Sequence, residues 1–176
     1  ESQIEVHARY SEPWKLTLVD TGIEAQTAGR LAKVKEYIGN EKFAFTYGDG
    51  LADVNISKLI SVHNEIGKKV TLTAVKPPGR YGALSLNGNL IQSFQEKPDG
   101  DKAWINGGFF IVEPSVIDLI SSSSESWEED ILPKLASEKQ LAAYFHDGFW
   151  QPMDTLRDKN RLEKLWLGGN PPWKLW

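Results

Sequence analysis

Apolar runs of two different periods alternate along this chain, and that alternation restricts the folds open to it. FAFTY (43–47) and VTLTAV (70–75) have the length and the aromatic or β-branched content of strands. Between them, NISKLISVHNEIG (55–67) places Ile56, Leu59, Ile60, His63 and Ile66 on one helical face and stops at Gly67. GGFFIV (107–112), a continuous apolar run, reads as a central strand, and LAAYF (141–145) as the last one. ALSLNGNLIQSF (83–94) reads as a hairpin, because Asn87-Gly88 between apolar runs is a strong turn signal. WKLTLVD (14–20) alternates apolar and polar positions and predicts a strand ending at Asp20-Thr21-Gly22.

Helix signals fill the intervals. Thr27 is expected to cap a helix with Leu31, Val34 and Ile38 on one face, stopped at Gly39-Asn40. PSVIDLI (114–120) starts on proline, and Ser126-Trp127-Glu128-Glu129 has the capping-box form ahead of ILPKLA. TLRDKNRLEKLW (155–166) reads as the last helix. Helices set between strands, with one hairpin inserted, predict an α/β layered fold with a mostly parallel sheet.

Composition closes off several function classes. With no cysteine among 176 residues, disulfides, thiolate zinc sites and cysteine nucleophiles are excluded. A net charge of −4 argues against nucleic-acid binding, which calls for a basic stripe. The three histidines are scattered and form no metal-binding pair at helical spacing; His63, on the apolar face of its helix, reads as a packing residue. No apolar run is long enough to span a bilayer, and ESQIEVHARY has neither part of a secretory signal. The chain opens on Glu and reads as part of something longer.

Polar clusters fall where the strands end. Asp49 follows FAFTY in a Gly-Asp-Gly turn, a sequence suited both to a tight reversal and to a ligand at a sheet's carboxyl edge. Glu96-Lys97-Pro98 ends the hairpin, where a solvated ion pair is the plainer reading. Asn106-Gly107-Gly108 opens a strand. Asp154 directly precedes a helix, so it is either an N-cap or a ligand. Trp150 and Tyr81 are candidates for stacking on a ring, with core packing as the alternative.

Taken in order, TYGDG, PPGRYGAL, FQEKP, INGGFFI, SVIDLI, GFWQPMDTLRD and the closing PPWK resemble bacterial glucose-1-phosphate cytidylyltransferases, within the sugar nucleotidyltransferase superfamily. LVDTG and GRL match as well, so the resemblance covers nearly the whole chain. It implies a three-layer, Rossmann-like nucleotide-diphospho-sugar transferase fold with a mixed, mostly parallel sheet. It also implies synthesis of CDP-glucose and pyrophosphate from CTP and α-D-glucose 1-phosphate. Both substrates are polyanions, and the implied cofactor is Mg²⁺, held by Asp49 and Asp154. Lys97 matches the family lysine on the sugar phosphate, which with the two aspartates makes the implied catalytic set. Gly82, Glu96 and Asn106 match further sugar contacts, and Gly48 and Arg30 match nucleotide contacts. A cytoplasmic homo-oligomer serving deoxysugar and O-antigen-type polysaccharide synthesis is expected, with the Trp-rich tail GGNPPWKLW as a candidate interface.

The resemblance has one departure. Family members begin with a strand, a GGxGTRL loop whose amides hold the triphosphate, and a lysine just beyond. No such loop occurs in these 176 residues. The expectation is therefore that residues 1–176 form the larger, C-terminal part of a single nucleotidyltransferase domain, without its N-terminal strand-loop-helix units, and do not make CDP-glucose unaided. Two other readings stand beside it: a non-catalytic sugar-phosphate-binding or oligomerisation module, and a nucleotidyltransferase of different base or sugar preference.

Overall fold

Phe110 and Val112 face one way from the strand that carries them and Ile111 the other, and all three are buried. That strand must therefore lie inside a sheet covered on both faces. The computed structural model, which describes residues 14–77, 83–87, 89–95 and 104–175, shows this arrangement. The elements are α1 (Thr27–Lys33), α2 (Lys35–Ile38), β1 (Phe43–Thr46), β2 (Gly50–Ala52), α3 (Ile56–Ile66), β3 (Val70–Val75), β4 (Ala83–Asn87), β5 (Leu90–Gln95), β6 (Ile105–Val112), α4 (Leu132–Ser137), β7 (Leu141–His146), β8 (Trp150–Pro152) and α5 (Leu156–Leu167).

Four strands form the main sheet in the order β1-β6-β3-β7. β3 and β7 are parallel, while β6 runs antiparallel to both β1 and β3. Three of the four strands thus share a direction, and the reversed β6 sits between them. On one face, Ala28 and Leu31 of α1 pack with Val116, Trp127, Ile131 and Leu135 against Val70, Phe110 and Val112. Trp127 meets Phe110 edge to face, with centroids 5.8 Å apart. Burial of a side chain such as Phe110 contributes about 2 kcal/mol. On the other face, Leu59 of α3 packs with Val54, Ile111 and Tyr144. The outcome is helix, sheet, helix: the three layers expected. β2 and β8 form a separate antiparallel ribbon, and β4 and β5 the predicted hairpin.

Several local expectations hold, and others need correction. Asn55 caps α3 by accepting the Lys58 N–H, and Gly67 ends it with φ of 64°. Residues 14–20 are not a strand: no described strand pairs with them, and Trp14, Leu16 and Leu18 are exposed. Alternation specifies a strand only where a ladder exists to receive it. Thr27 is not a cap; its hydroxyl donates to Glu128 (2.7 Å) and accepts the Trp127 N–H (2.8 Å), a tertiary use of the same group. The helix expected through Ile38 breaks at Val34. Pro114–Leu119 winds as a 3₁₀ helix. Ser126 does cap, but its own N–H is bonded by Asp130 rather than Glu129. The turn there is π-wound, with the Ile131 N–H reaching back to Ser126, which shifts the partner by one.

One irregularity shapes the site. In β3–β6, Leu72 is paired with Phe110 but Ala74 with Asn106, so three residues of β6 (107–109) lie opposite one of β3. Gly107 and Gly108 occupy this bulge. Gly108 has φ of +80°, and a Cβ there would stand 2.7 Å from the Tyr47 ring; a Cβ on Gly107 would stand 2.8 Å from Val75.

Candidate active site

β1 ends at Thr46, and Tyr47, Gly48 and Asp49 turn the chain into β2. Because β2 pairs with β8, this turn is brought against the far end of β8: the Met153 N–H donates to the Asp49 carbonyl at 2.7 Å, and Asp154 follows directly. Asp49, Asp154 and Asn106 line one pocket of about 210 Å³, with Tyr47, Gly107 and Trp150 among its other walls. The Trp150 indole N–H donates to the Gly107 carbonyl at 2.8 Å, which makes this ring a wall of the pocket.

The N-cap reading of Asp154 is set aside. α5 is capped by Thr155, whose hydroxyl accepts the Asp158 N–H (3.2 Å) while the Asp158 carboxylate accepts the Thr155 N–H (3.1 Å). Asp154 is held at the pocket mouth by the start of a helix that it does not itself cap.

Below the carboxylates lies a chain of hydrogen bonds. The Asn106 carboxamide oxygen accepts the Gly108 N–H (2.9 Å), and its NH₂ donates to the Tyr47 hydroxyl (3.1 Å). That hydroxyl donates to Glu128, whose other oxygen accepts from Thr27 (2.7 Å) and Ser126 (3.1 Å). Burial first, and the adjacent Glu128 carboxylate second, push the Tyr47 hydroxyl well above its ordinary value. For Glu128, burial acts upward but is outweighed by the hydrogen bonds from Tyr47, Thr27 and Ser126, which hold the carboxyl below the usual 4.5.

Arg30 lies elsewhere. It lines a neighbouring groove of about 540 Å³ with Leu31, Val34, Ile38, Phe43 and Phe45, and Thr46 and Tyr47 border both spaces. Its guanidinium donates to the Thr21 hydroxyl (2.7 Å) and the Ile23 carbonyl (3.3 Å). Gly48 is exposed, and a Cβ there would meet nothing of this chain. Gly82, Glu96 and Lys97, with Tyr81, lie outside the described residues. His63 is buried as expected, between Thr71 (2.9 Å) and Glu113 (3.1 Å). Among the described residues no group of three or more His, Asp or Glu side chains forms a metal cluster, and no helix is long and apolar enough to cross a membrane.

The structure thus brings Asp49, Asp154 and Asn106 together from three separate segments. It adds Tyr47 and Glu128, to which sequence reasoning gave no role in holding Asn106, and it makes Trp150, a stacking candidate from the sequence, a wall bonded to Gly107. Tyr47 stands two residues before Asp49, a usable local signal; Glu128 is 81 positions from Tyr47 and carries none.

A family model described as nucleotidyl transferase matches residues 2–160. The glucose-1-phosphate cytidylyltransferase of Salmonella typhimurium is 55% identical over 177 residues, covering 100% of this chain and 69% of the relative. A probable glucose-1-phosphate cytidylyltransferase of Bacillus subtilis is 39% identical over 94% of this chain and 65% of its own length. Among solved structures, HddC from Yersinia pseudotuberculosis has a TM-score of 0.57 at 22% identity, over 79% of this chain and 61% of that one. A putative glucose-1-phosphate thymidylyltransferase from Bacillus anthracis has a TM-score of 0.60 at 17% identity, over 80% and 61%. These two likenesses establish the shared fold.

Proposed function

Since the chain belongs to the glucose-1-phosphate cytidylyltransferase family of nucleotidyltransferases, we propose that it supplies the metal-binding and sugar-phosphate-binding part of a site that converts CTP and α-D-glucose 1-phosphate into CDP-glucose and pyrophosphate. In that reaction an oxygen of the sugar phosphate attacks the α-phosphorus of CTP in line, and pyrophosphate leaves. The observation that carries the reading is the meeting of Asp49, Asp154 and Asn106 on one pocket.

The donor set suits Mg²⁺, which takes one or two carboxylates and fills its remaining positions with water and phosphate oxygens. Asp49 and Asp154 would hold it, and the bound ion offsets the repulsion between the two polyanions. Asn106 offers an N–H donor to a sugar oxygen. By the same resemblance Glu96 accepts from sugar hydroxyls, Lys97 pairs with the sugar phosphate, and Gly82 is a further sugar contact. On the nucleotide side, the open space above Gly48 lets a ligand approach the backbone, and Arg30 lies across Tyr47. The same reading makes the protein a cytoplasmic homo-oligomer, with exposed Trp166, Leu167 and Leu175 as contact residues.

The 176-residue chain, once shown to melt cooperatively, is expected to bind glucose 1-phosphate in calorimetric titration, more tightly with Mg²⁺ present. Asp49→Asn and Asp154→Asn each remove the Mg²⁺ effect. Pyrophosphate release from CTP is expected only after the chain is joined to the part of the Salmonella relative outside the match, since the 176 residues contain no glycine-rich loop. In that chimera either aspartate variant lowers turnover at least about 10²-fold, the scale of losing one preorganised charge stabiliser. Binding of CTP but not glucose 1-phosphate by the chain alone, or unchanged Mg²⁺ dependence in both variants, overturns the reading.

A further inference from the structure

A carboxamide presents a donor and an acceptor that are easily exchanged by a half-turn. At Asn106 the exchange is blocked from both ends. Its oxygen accepts the Gly108 N–H at 2.9 Å, and its NH₂ donates to the Tyr47 hydroxyl at 3.1 Å. The second contact has this polarity because of a third residue. A tyrosine hydroxyl has one hydrogen, and that of Tyr47 is given to Glu128, whose carboxylate can only accept. The Tyr47 oxygen therefore turns lone pairs toward Asn106. A flipped Asn106 would set its carbonyl against those lone pairs and its NH₂ against the Gly108 N–H, losing both bonds. Glu128 is fixed in turn by Thr27 and Ser126 on its other oxygen.

We propose that Glu128 is a positioning residue for ligand recognition: through the Tyr47 hydroxyl it fixes which way the Asn106 carboxamide faces, so that the second N–H of Asn106 is presented to an oxygen acceptor in the Asp49 pocket. That the acceptor belongs to a sugar phosphate rests on the function proposed above. Glu128 touches no ligand in this scheme. Its carboxylate also ties the helix that carries Arg30 to the same hydroxyl through Thr27, so one anion sets the spacing between the groove and the pocket floor.

The test uses the 176-residue chain and two readouts. The first needs no ligand: the ¹⁵N–¹H pair of the Asn106 side chain, identified by its loss in Asn106→Asp, is followed by NMR. In the parent chain the hydrogen given to Tyr47 is expected to be displaced from the free-amide shift and protected from exchange. Tyr47→Phe abolishes both features, and Glu128→Gln, free to offer its NH₂ to Tyr47, weakens them. The second readout compares affinity for glucose 1-phosphate with that for inorganic phosphate. Both variants are expected to weaken glucose 1-phosphate about tenfold, the scale of one hydrogen bond, and to leave inorganic phosphate unchanged. Thr27→Val, which cuts Glu128 from α1 but leaves Tyr47 its partner, lowers Tm without altering that ratio. Unchanged Asn106 signals in Tyr47→Phe overturn the proposal, as does an equal loss of both ligands in step with Tm. If the parent chain binds no glucose 1-phosphate while the Asn106 signals respond as stated, the sugar assignment falls and the positioning role stands.

Discussion

On one side of Tyr47 the walls are backbone and hydrogen bonds; on the other they are apolar side chains. The pocket at Asp49 is floored by Gly107 and Gly108, where even a Cβ does not fit, and its polar groups are tied to one another. The groove around Arg30 is bounded by Leu31, Val34, Ile38, Phe43 and Phe45, several of them half-buried, with room of about 540 Å³ between them. Close backbone packing fixes positions to a fraction of an ångström, and an apolar surface tolerates adjustment. A site that must aim single N–H groups and carboxylates needs the first kind of wall. A surface that receives a larger body can be made of the second.

Substitutions on the two sides should therefore differ in cost. Gly108→Ala breaks the pocket floor, since its φ of +80° and the 2.7 Å approach to Tyr47 are both forbidden to alanine; a loss of about 3 kcal/mol in urea denaturation is expected. Thr155→Ala removes the capping box beside Asp154 and should cost about 1 kcal/mol by the same measurement. On the groove side, Val34→Ala should cost only about 0.5 kcal/mol, because a half-exposed side chain forfeits part of its burial. If Val34→Ala equals Gly108→Ala in effect, the contrast between the two walls is wrong.

The smallest effect sharpens the contrast through pH. Glu128 is held below 4.5 in the folded protein, so its contribution is present above that value and is lost as pH falls through the lowered pKa. Glu128→Gln should make the acid limb of a Tm–pH profile shallower. Tyr47 is shifted upward, so its contribution is complete below pH 10 and is lost as pH rises through the raised pKa. Tyr47→Phe should flatten the alkaline limb. Neither limb should respond to Val34→Ala.

Much of the sheet was legible in the sequence, because FAFT, VTLTAV and the apolar run into Val112 carry their own burial pattern, and Asn55 and Gly67 punctuate α3 locally. WKLTLVD misled for a physical reason: alternation describes a face, and a face becomes a strand only when a neighbour offers hydrogen bonds. Asp49 was legible as a strand-end carboxylate. For Asp154 the cap and the ligand readings compete in the sequence, and the Thr155…Asp158 pair one step later, itself a capping signature, is what separates them. Glu128 illustrates the remaining limit. It lies in a segment that reads only as a helix start, and its contact with Tyr47 exists because α1 and the π-wound turn pack together beneath β1.

The bulge in β6 bears on which length changes this family of chains tolerates. Three residues opposite one is a surplus of two, an even number, so residues on either side of Gly107-Gly108 keep the faces an unbulged strand would give them. Removing one glycine would make the surplus odd, and every side chain on one flank would turn to the opposite face of the sheet. Asn106 would then point away from Tyr47, or Phe110 and Val112 would leave the layer they share with Trp127. Loss of both glycines would preserve the facing but draw Asn106 along the strand, out of line with Gly108's former place and with Asp49. This point of the chain is thus intolerant of length change as well as of side chains, so a one-residue gap here in any related sequence should coincide with a rebuilt pocket floor.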